Sequence, residues 1–221
     1  MANKKFVGIF FIIISIILLS TSIFLPWWEY HDSATTGTVR ERNIQFTLFE
    51  KNIESKTTSG TETKTESHPT KISGISVSTL CITLGAIIFA VLSLFFILLS
   101  EYEKCSPLYG FGMLILSAIL SISAGIYYGL ALPTGLDEAT GLLWTRGFNG
   151  VSQAGDVSWG PGLGWYLTIM VFFVLLFVIS IVKPTAEDIV RYHTRPVRAV
   201  KPIRRAISFE YEKQAVRATQ N

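Results

Sequence analysis

The side chains that could do chemistry in this chain are few and scattered. Its three histidines, His31, His68 and His193, each lack a second ligand at metal-binding spacing. Asp137, Glu138 and Asp156 are acids with no base or metal ligand near them in sequence. No paired carboxylates, Ser-His-Asp set or HExxH motif appears, so acid–base, nucleophilic and metal-assisted catalysis lack their parts. One ordered pattern remains, "RPVRAVKPIRR" at 195–205, where Arg195, Arg198, Lys201 and Arg204 recur at every third residue. The chemistry open to such a strip is the holding of anions.

What would position that strip is written in the apolar residues. The chain has 221 residues and a mean hydropathy of +0.43, yet only 16% of it is charged. Soluble domains carry about 25%. Four blocks contain no Asp, Glu, Lys, Arg or His: Phe6 to Leu25, about Ile75 to Ser100, Leu108 to Leu132, and about Leu163 to Val182. A helix needs roughly 20 such residues to cross a bilayer, so four membrane spans are expected. Lys4 and Lys5 before an apolar run resemble a signal peptide, with Ser20-Thr21-Ser22 as a small-x-small site. The run continues to Leu25, however, and its length favours a retained helix.

Short flanks orient the spans. Lys4 and Lys5 precede the first, and "EYEKCSP" with Lys104 joins the second to the third. After Val182 there are nine Lys/Arg against four Asp/Glu. The stretch from 133 to 162 has one base, Arg146, against three acids. The expected location is the cell membrane, with both termini cytoplasmic and two large loops outside. The basic strip then follows a membrane helix on the cytoplasmic side. Pro196 and Pro202 forbid one continuous helix. In a polyproline-II segment, three residues per turn put the four bases on one edge. Three readings stay open: a bare topology signal, docking on anionic lipid headgroups through Arg195, Arg198, Lys201 and Arg204, and partner binding. Nucleic acid is not expected, because the strip lacks interleaved aromatics. The cysteines are Cys81, within the second span, and Cys105, in the inner loop, where lipidation is a further option. The exterior therefore has no disulfide.

The first outer loop alternates. In "TVRERNIQFTLFE", Arg42, Ile44, Phe46 and Leu48 share one face, and "KTTSGTETKTE" has a Ser59-Gly60 turn. This predicts a meander of about three strands. Its apolar face, Ile44, Phe46 and Leu48, needs a cover, and the second outer loop or a partner protein is expected to supply it. Trp27, Trp28 and Tyr30 after the first span, and Trp159, Trp165 and Tyr166 around the start of the fourth, read as headgroup-level anchors.

The third span carries Ser117, Ser121, Gly125 and Gly129, one small residue every four. That smooth ridge lets another helix approach, and the seven-residue inner loop makes the second span its expected antiparallel partner. The fourth span is bulky on all sides, with no small ridge, and is expected to present much of its surface to lipid or another subunit. Ser76, Ser78, Thr79 and Thr83 offer the polar groups from which an oligomer could line a passage, but the spans hold no ionisable group of the kind ion-coupled transporters use.

This layout resembles the claudin and peripheral-myelin-protein-like group: four spans, a long β-prone first outer loop, a tight inner turn, a shorter second outer loop and a basic tail. Trp27 and Trp28 stand where that group has a tryptophan after the first span. The nearest match to its Gly-Leu-Trp motif is "GLLW", Gly141 to Trp144, in the second outer loop and one residue too long. Its two loop cysteines are absent. The resemblance implies lateral assembly or cell-surface contact and carries over no site residue.

The expected fold is thus a mainly α membrane protein, a four-helix transmembrane bundle with a small extracellular β-rich cap. Its segments are 1–25, 26–74, 75–132, 133–162, 163–182 and 183–221. The expected function is non-enzymatic and cofactor-free: a structural, adhesion or accessory subunit that meets other membrane proteins or itself. A small oligomeric channel or carrier is the alternative.

Overall fold

The computed structural model describes residues 2–33, 38–101, 105–140, 148–151, 157–185 and 189–190. Four of its helices are long and apolar enough to cross a membrane. They are α1 (Ala2–Ser22), α2 (Thr70–Glu101), α3 (Pro107–Thr140) and α4 (Leu163–Val182). Between them lie six strands: β1 (Trp28–Asp32), β2 (Val39–Phe46), β3 (Glu50–Thr57), β4 (Gly60–Ser67), β5 (Gly150–Val151) and β6 (Val157–Pro161). They form one antiparallel sheet in the order β4-β3-β2-β1-β6-β5.

The meander expected of residues 38–66 is present, with Gly60 at a positive φ of 149° where β4 leaves its turn. Residues 38–50 are not one strand, however. β2 stops at Phe46, and Thr47 turns the chain: its N–H donates to the Glu50 carbonyl, and its Oγ1 accepts from the N–H groups of Phe49 and Glu50. The sheet also recruits segments read as anchors. Trp28 to Asp32 pairs with both β2 and β6, so the segments before α2 and after α3 contribute to one layer.

Two helices exceed their expected spans. α2 begins at Thr70 and α3 continues through Pro133 to Thr140. At 1.5 Å per residue, 34 residues reach about 51 Å, well beyond a hydrocarbon core of about 30 Å. The extra turns have a packing reason. Ile72 and Leu136 are buried under the sheet with Trp27, Trp28, Ile44, Phe46, Leu48 and Ile53. A second core lies lower in the bundle, around Ile12, Leu19, Ala86, Leu114, Val171 and Leu175.

The small ridge of α3 serves two neighbours. Ser117 Oγ donates to the Ala86 carbonyl of α2 at 2.8 Å, as expected of an α2–α3 pair. Ser121 Oγ donates instead to the Thr168 carbonyl of α4, also at 2.8 Å. Gly125 takes the Trp165 indole N–H on its carbonyl at 2.9 Å, and Gly129 lies beside Phe148 and Trp165. The fourth helix therefore has a packed stripe, Gly164, Thr168, Val171, Leu175 and Val178, recurring at three and four residues. Much of the rest of α4 is exposed, as expected of its bulky residues, with Phe173, Leu176 and Phe177 outward; only the stripe was missed, because two small residues in its first turns were hidden beside bulky neighbours.

The chain divides into two compact units, Met1–Pro184 and Thr185–Asn221. In the second, the Ile189 N–H donates to the Thr185 carbonyl at 3.2 Å. Arg195, Arg198, Lys201 and Arg204 lie outside the described residues.

Candidate contact surface

The two faces of the sheet differ in chemistry because side chains alternate along each strand. Trp28, Tyr30, Ile44, Phe46 and Ile53 point one way. Their cover is the chain itself: Trp28 packs edge-on to Phe46, Trp27 edge-on to Tyr128, and His68 stacks flat on Phe46 with centroids 5.8 Å apart. The expected partner contact at Ile44, Phe46 and Leu48 is thereby corrected. All three are interior, covered by Ile72 of α2, by Tyr128 and Leu132 of α3, and by Leu136, Phe148 and Trp159 from the 133–162 segment, so the second outer loop shares in the cover as expected. Trp27 and Trp28 are corrected too. Both are buried within the chain rather than presented to headgroups, with the Trp27 indole donating to the Ser22 carbonyl and the Trp28 indole to that of Phe148.

The opposite face is polar wherever it is described from β1 to β4. One cross-strand row runs Glu29, Gln45, Asn52, Thr65, and the next runs His31, Asn43, Glu54, Thr63. Along the first, Gln45 donates to Glu29 at 3.3 Å and Thr65 to Asn52 at 2.9 Å. His31 Nδ1 is hydrogen-bonded to Asn43 Oδ1. Beyond them Lys56 and Glu41 form an exposed ion pair at 2.6 Å. The Lys56 ammonium draws the Glu41 carboxyl below its usual range, by hydrogen bond first and charge second.

Toward β6 this open face deepens into a groove of about 640 Å³, bounded by Glu29, His31, Asn43, Gln45, Ser158 and Tyr166. The indole of Trp159 closes one side by lying against Gly150, where any side chain would run into it. The groove offers amide, carboxylate, imidazole and hydroxyl groups. That set can hydrogen-bond a polar surface. Among the described residues no three His, Cys, Asp or Glu side chains gather where a metal would sit. No protein-family model matches this chain, and no curated protein matches it.

Of the hydroxyls expected to offer a passage, those of Thr79 and Thr83 are used within α2, whereas Ser76 Oγ is buried with no hydrogen-bond partner among the described residues. Thr79 donates to the Ile75 carbonyl and Thr83 to that of Thr79, each at 2.9 Å, and both residues are fully buried.

The polar half of the β2 alternation, Glu41, Asn43 and Gln45, was readable beside its apolar half. Sequence reasoning passed over it because polar loop residues carry no burial signal. His31, Glu29 and Ser158 were not readable as neighbours, since β1–β6 pairing joins residues more than 120 positions apart.

Proposed function

We propose that this chain is a non-enzymatic multi-pass membrane protein that holds a polar β-sheet beside the bilayer as a contact surface for other membrane proteins or for a second copy of itself. Its role is structural, adhesive or accessory. The supporting observation is the division of the sheet: one face sealed onto α2 and α3 by Trp28, Ile44 and Phe46, the other left open and polar. A sheet clamped this way needs no partner to stay folded, so its open face is free for recognition. The positive-inside pattern puts both termini in the cytoplasm and the sheet outside. Anionic lipid headgroups meet Arg195, Arg198, Lys201 and Arg204 on the inner side.

The test is purification from native membranes in mild detergent, followed by mass spectrometry, for the wild type and for Asn43→Arg with Gln45→Arg. Both positions lie on the open face, so the helices should remain folded. Loss of a stoichiometric partner, or of a discrete oligomer, in the variant supports the reading. An unchanged complex moves the contact off this face.

A further inference from the structure

Phe24 and Phe49 form a stacked pair on the outside of the molecule, with centroids 5.8 Å apart and planes at 29°. Phe24 is 72% exposed and Phe49 51%. Large aromatic rings left this open are out of place in water. Phe24, just past the end of α1, closes a stripe in which Phe6, Phe10, Ile13, Ile17 and Thr21 are also exposed, at spacings of three and four. That stripe is the side of the helix that lipid must cover. Phe49 does not belong to the helix at all. It sits at the tip of the β2–β3 turn and extends the same stripe from the sheet side.

Height is set by backbone contacts. Pro26 follows Phe24 by two residues, and its carbonyl takes the N–H of Gly164 in the first turn of α4 at 2.7 Å. The end of one apolar helix and the start of another therefore share a level, with exposed Leu163 beside it. Stacking places Phe49 at or just below that level. The turn is also prepared for a medium without water, where an unmatched amide is strongly disfavoured. The N–H groups of Phe49 and Glu50 both reach Thr47 Oγ1, at 3.1 and 3.0 Å. The Thr47 N–H reaches the Glu50 carbonyl at 3.0 Å, and the Thr47 carbonyl takes His68 Nε2 at the same distance. The first charges after the tip are Glu50 and Lys51, at the depth where headgroups begin.

We propose that the β2–β3 turn, with Phe49 at its tip, inserts into the bilayer at the boundary between headgroups and acyl chains, so that the sheet is seated on lipid as well as on its own helices. The occupant is lipid because the stripe that Phe49 completes is continuous with the lipid-facing side of α1. This rests on α1 spanning the membrane and is independent of what the open face binds.

The experiment puts a nitroxide at Phe49→Cys in a chain carrying Cys81→Ser and Cys105→Ser, reconstituted into phosphatidylcholine liposomes. Collision with oxygen, which concentrates among acyl chains, is compared with collision with a water-soluble nickel chelate. Ile17→Cys serves as the lipid reference and Thr63→Cys as the aqueous one. The expected oxygen-to-nickel ratio at 49 lies between those at 17 and 63 and is several-fold above that at 63. A ratio matching position 63 overturns the proposal. An aqueous reading at position 17 would remove the spanning helix itself, and the insertion with it. A benzophenone side chain at position 49, which keeps an aromatic ring in place, should cross-link phospholipid on illumination. Capture of a protein in its place also overturns the proposal.

Discussion

Gly164, in the first turn of α4, lies directly against the main-chain carbonyl of Ser22 at the end of α1, so closely that a Cβ there would stand 2.7 Å from that oxygen. The same Cβ would stand 2.8 Å from Trp27 Cδ1. Nearby, Thr168 Oγ1 donates to Ser22 Oγ at 3.1 Å. Three helices meet here, because the Thr168 carbonyl also accepts from Ser121 on α3.

Gly164→Ala is therefore expected to be more damaging than Gly125→Ala. At Gly125 a new methyl meets first the Cδ1 tip of Ile169, at 2.5 Å, which can rotate aside. At Gly164 it meets backbone. Overpacking costs about 1–3 kcal/mol, with Gly164→Ala at the top of that range and Gly125→Ala at the bottom. Thermal unfolding of both variants in one detergent checks the order. Equal losses would contradict the close α1–α4 approach.

Ser117→Ala and Ser121→Ala should each cost little, about 0.6 kcal/mol, the average for hydrogen bonds between membrane helices. The carbonyls they leave, on Ala86 and Thr168, belong to helices that already bond internally. Ser121→Leu should cost several times more, because the small side chain rather than its hydroxyl admits α4. Unfolding by denaturant in micelles separates the two contributions.

Tyr128→Phe and Trp27→Phe should differ in sign. The Tyr128 hydroxyl is buried and has no hydrogen-bond partner among the described residues. Removing it should be neutral or stabilising by up to about 1 kcal/mol. The Trp27 indole N–H donates to Ser22 at 2.7 Å, so Trp27→Phe should lose about 1 kcal/mol or more through that bond and the smaller ring. Paired melting curves decide this, and a destabilised Tyr128→Phe would imply a partner for the hydroxyl.

Acid should loosen the cap below about pH 6.5. Burial holds the His68 imidazole below its ordinary value of 6.5, against the weaker opposing pull of the Thr47 carbonyl and Glu50. The unfolded chain thus takes up a proton as pH falls through 6.5 while the folded chain stays neutral. The contribution is complete above that pH and is lost as pH falls through the folded value. Melting temperatures of wild type and His68→Gln between pH 7.5 and 5 test it, with a flatter dependence expected for the variant. The Glu41 and Glu66 carboxyls, held low by Lys56 and Lys64, act only in a more acidic window.

Much of this architecture was legible from residue types alone. Four uncharged blocks predicted four helices of spanning length, and alternation around Ile44 and Phe46 predicted strands. These signals are local, since each needs only a window of one element. The ridge of Ser117, Ser121, Gly125 and Gly129 was legible as a packing surface, but its division between α2 and α4 was not. A small residue announces that something comes close and not which helix it is.

Composition and order in the sequence determined the spanning segments, the β-prone loop and the charge asymmetry, because hydropathy, alternation and charge are properties of the chain itself. Only the tertiary structure decided which surfaces are interior. Trp27 and Trp28 look like interfacial anchors until β1 pairs with β6 and the ends of α2 and α3 rise to cover them. Phe46 looks like a contact residue until His68 stacks on it. Burial depends on what distant segments bring to the same place, and here those segments are up to about 130 residues apart in a chain whose local signals say nothing of their meeting.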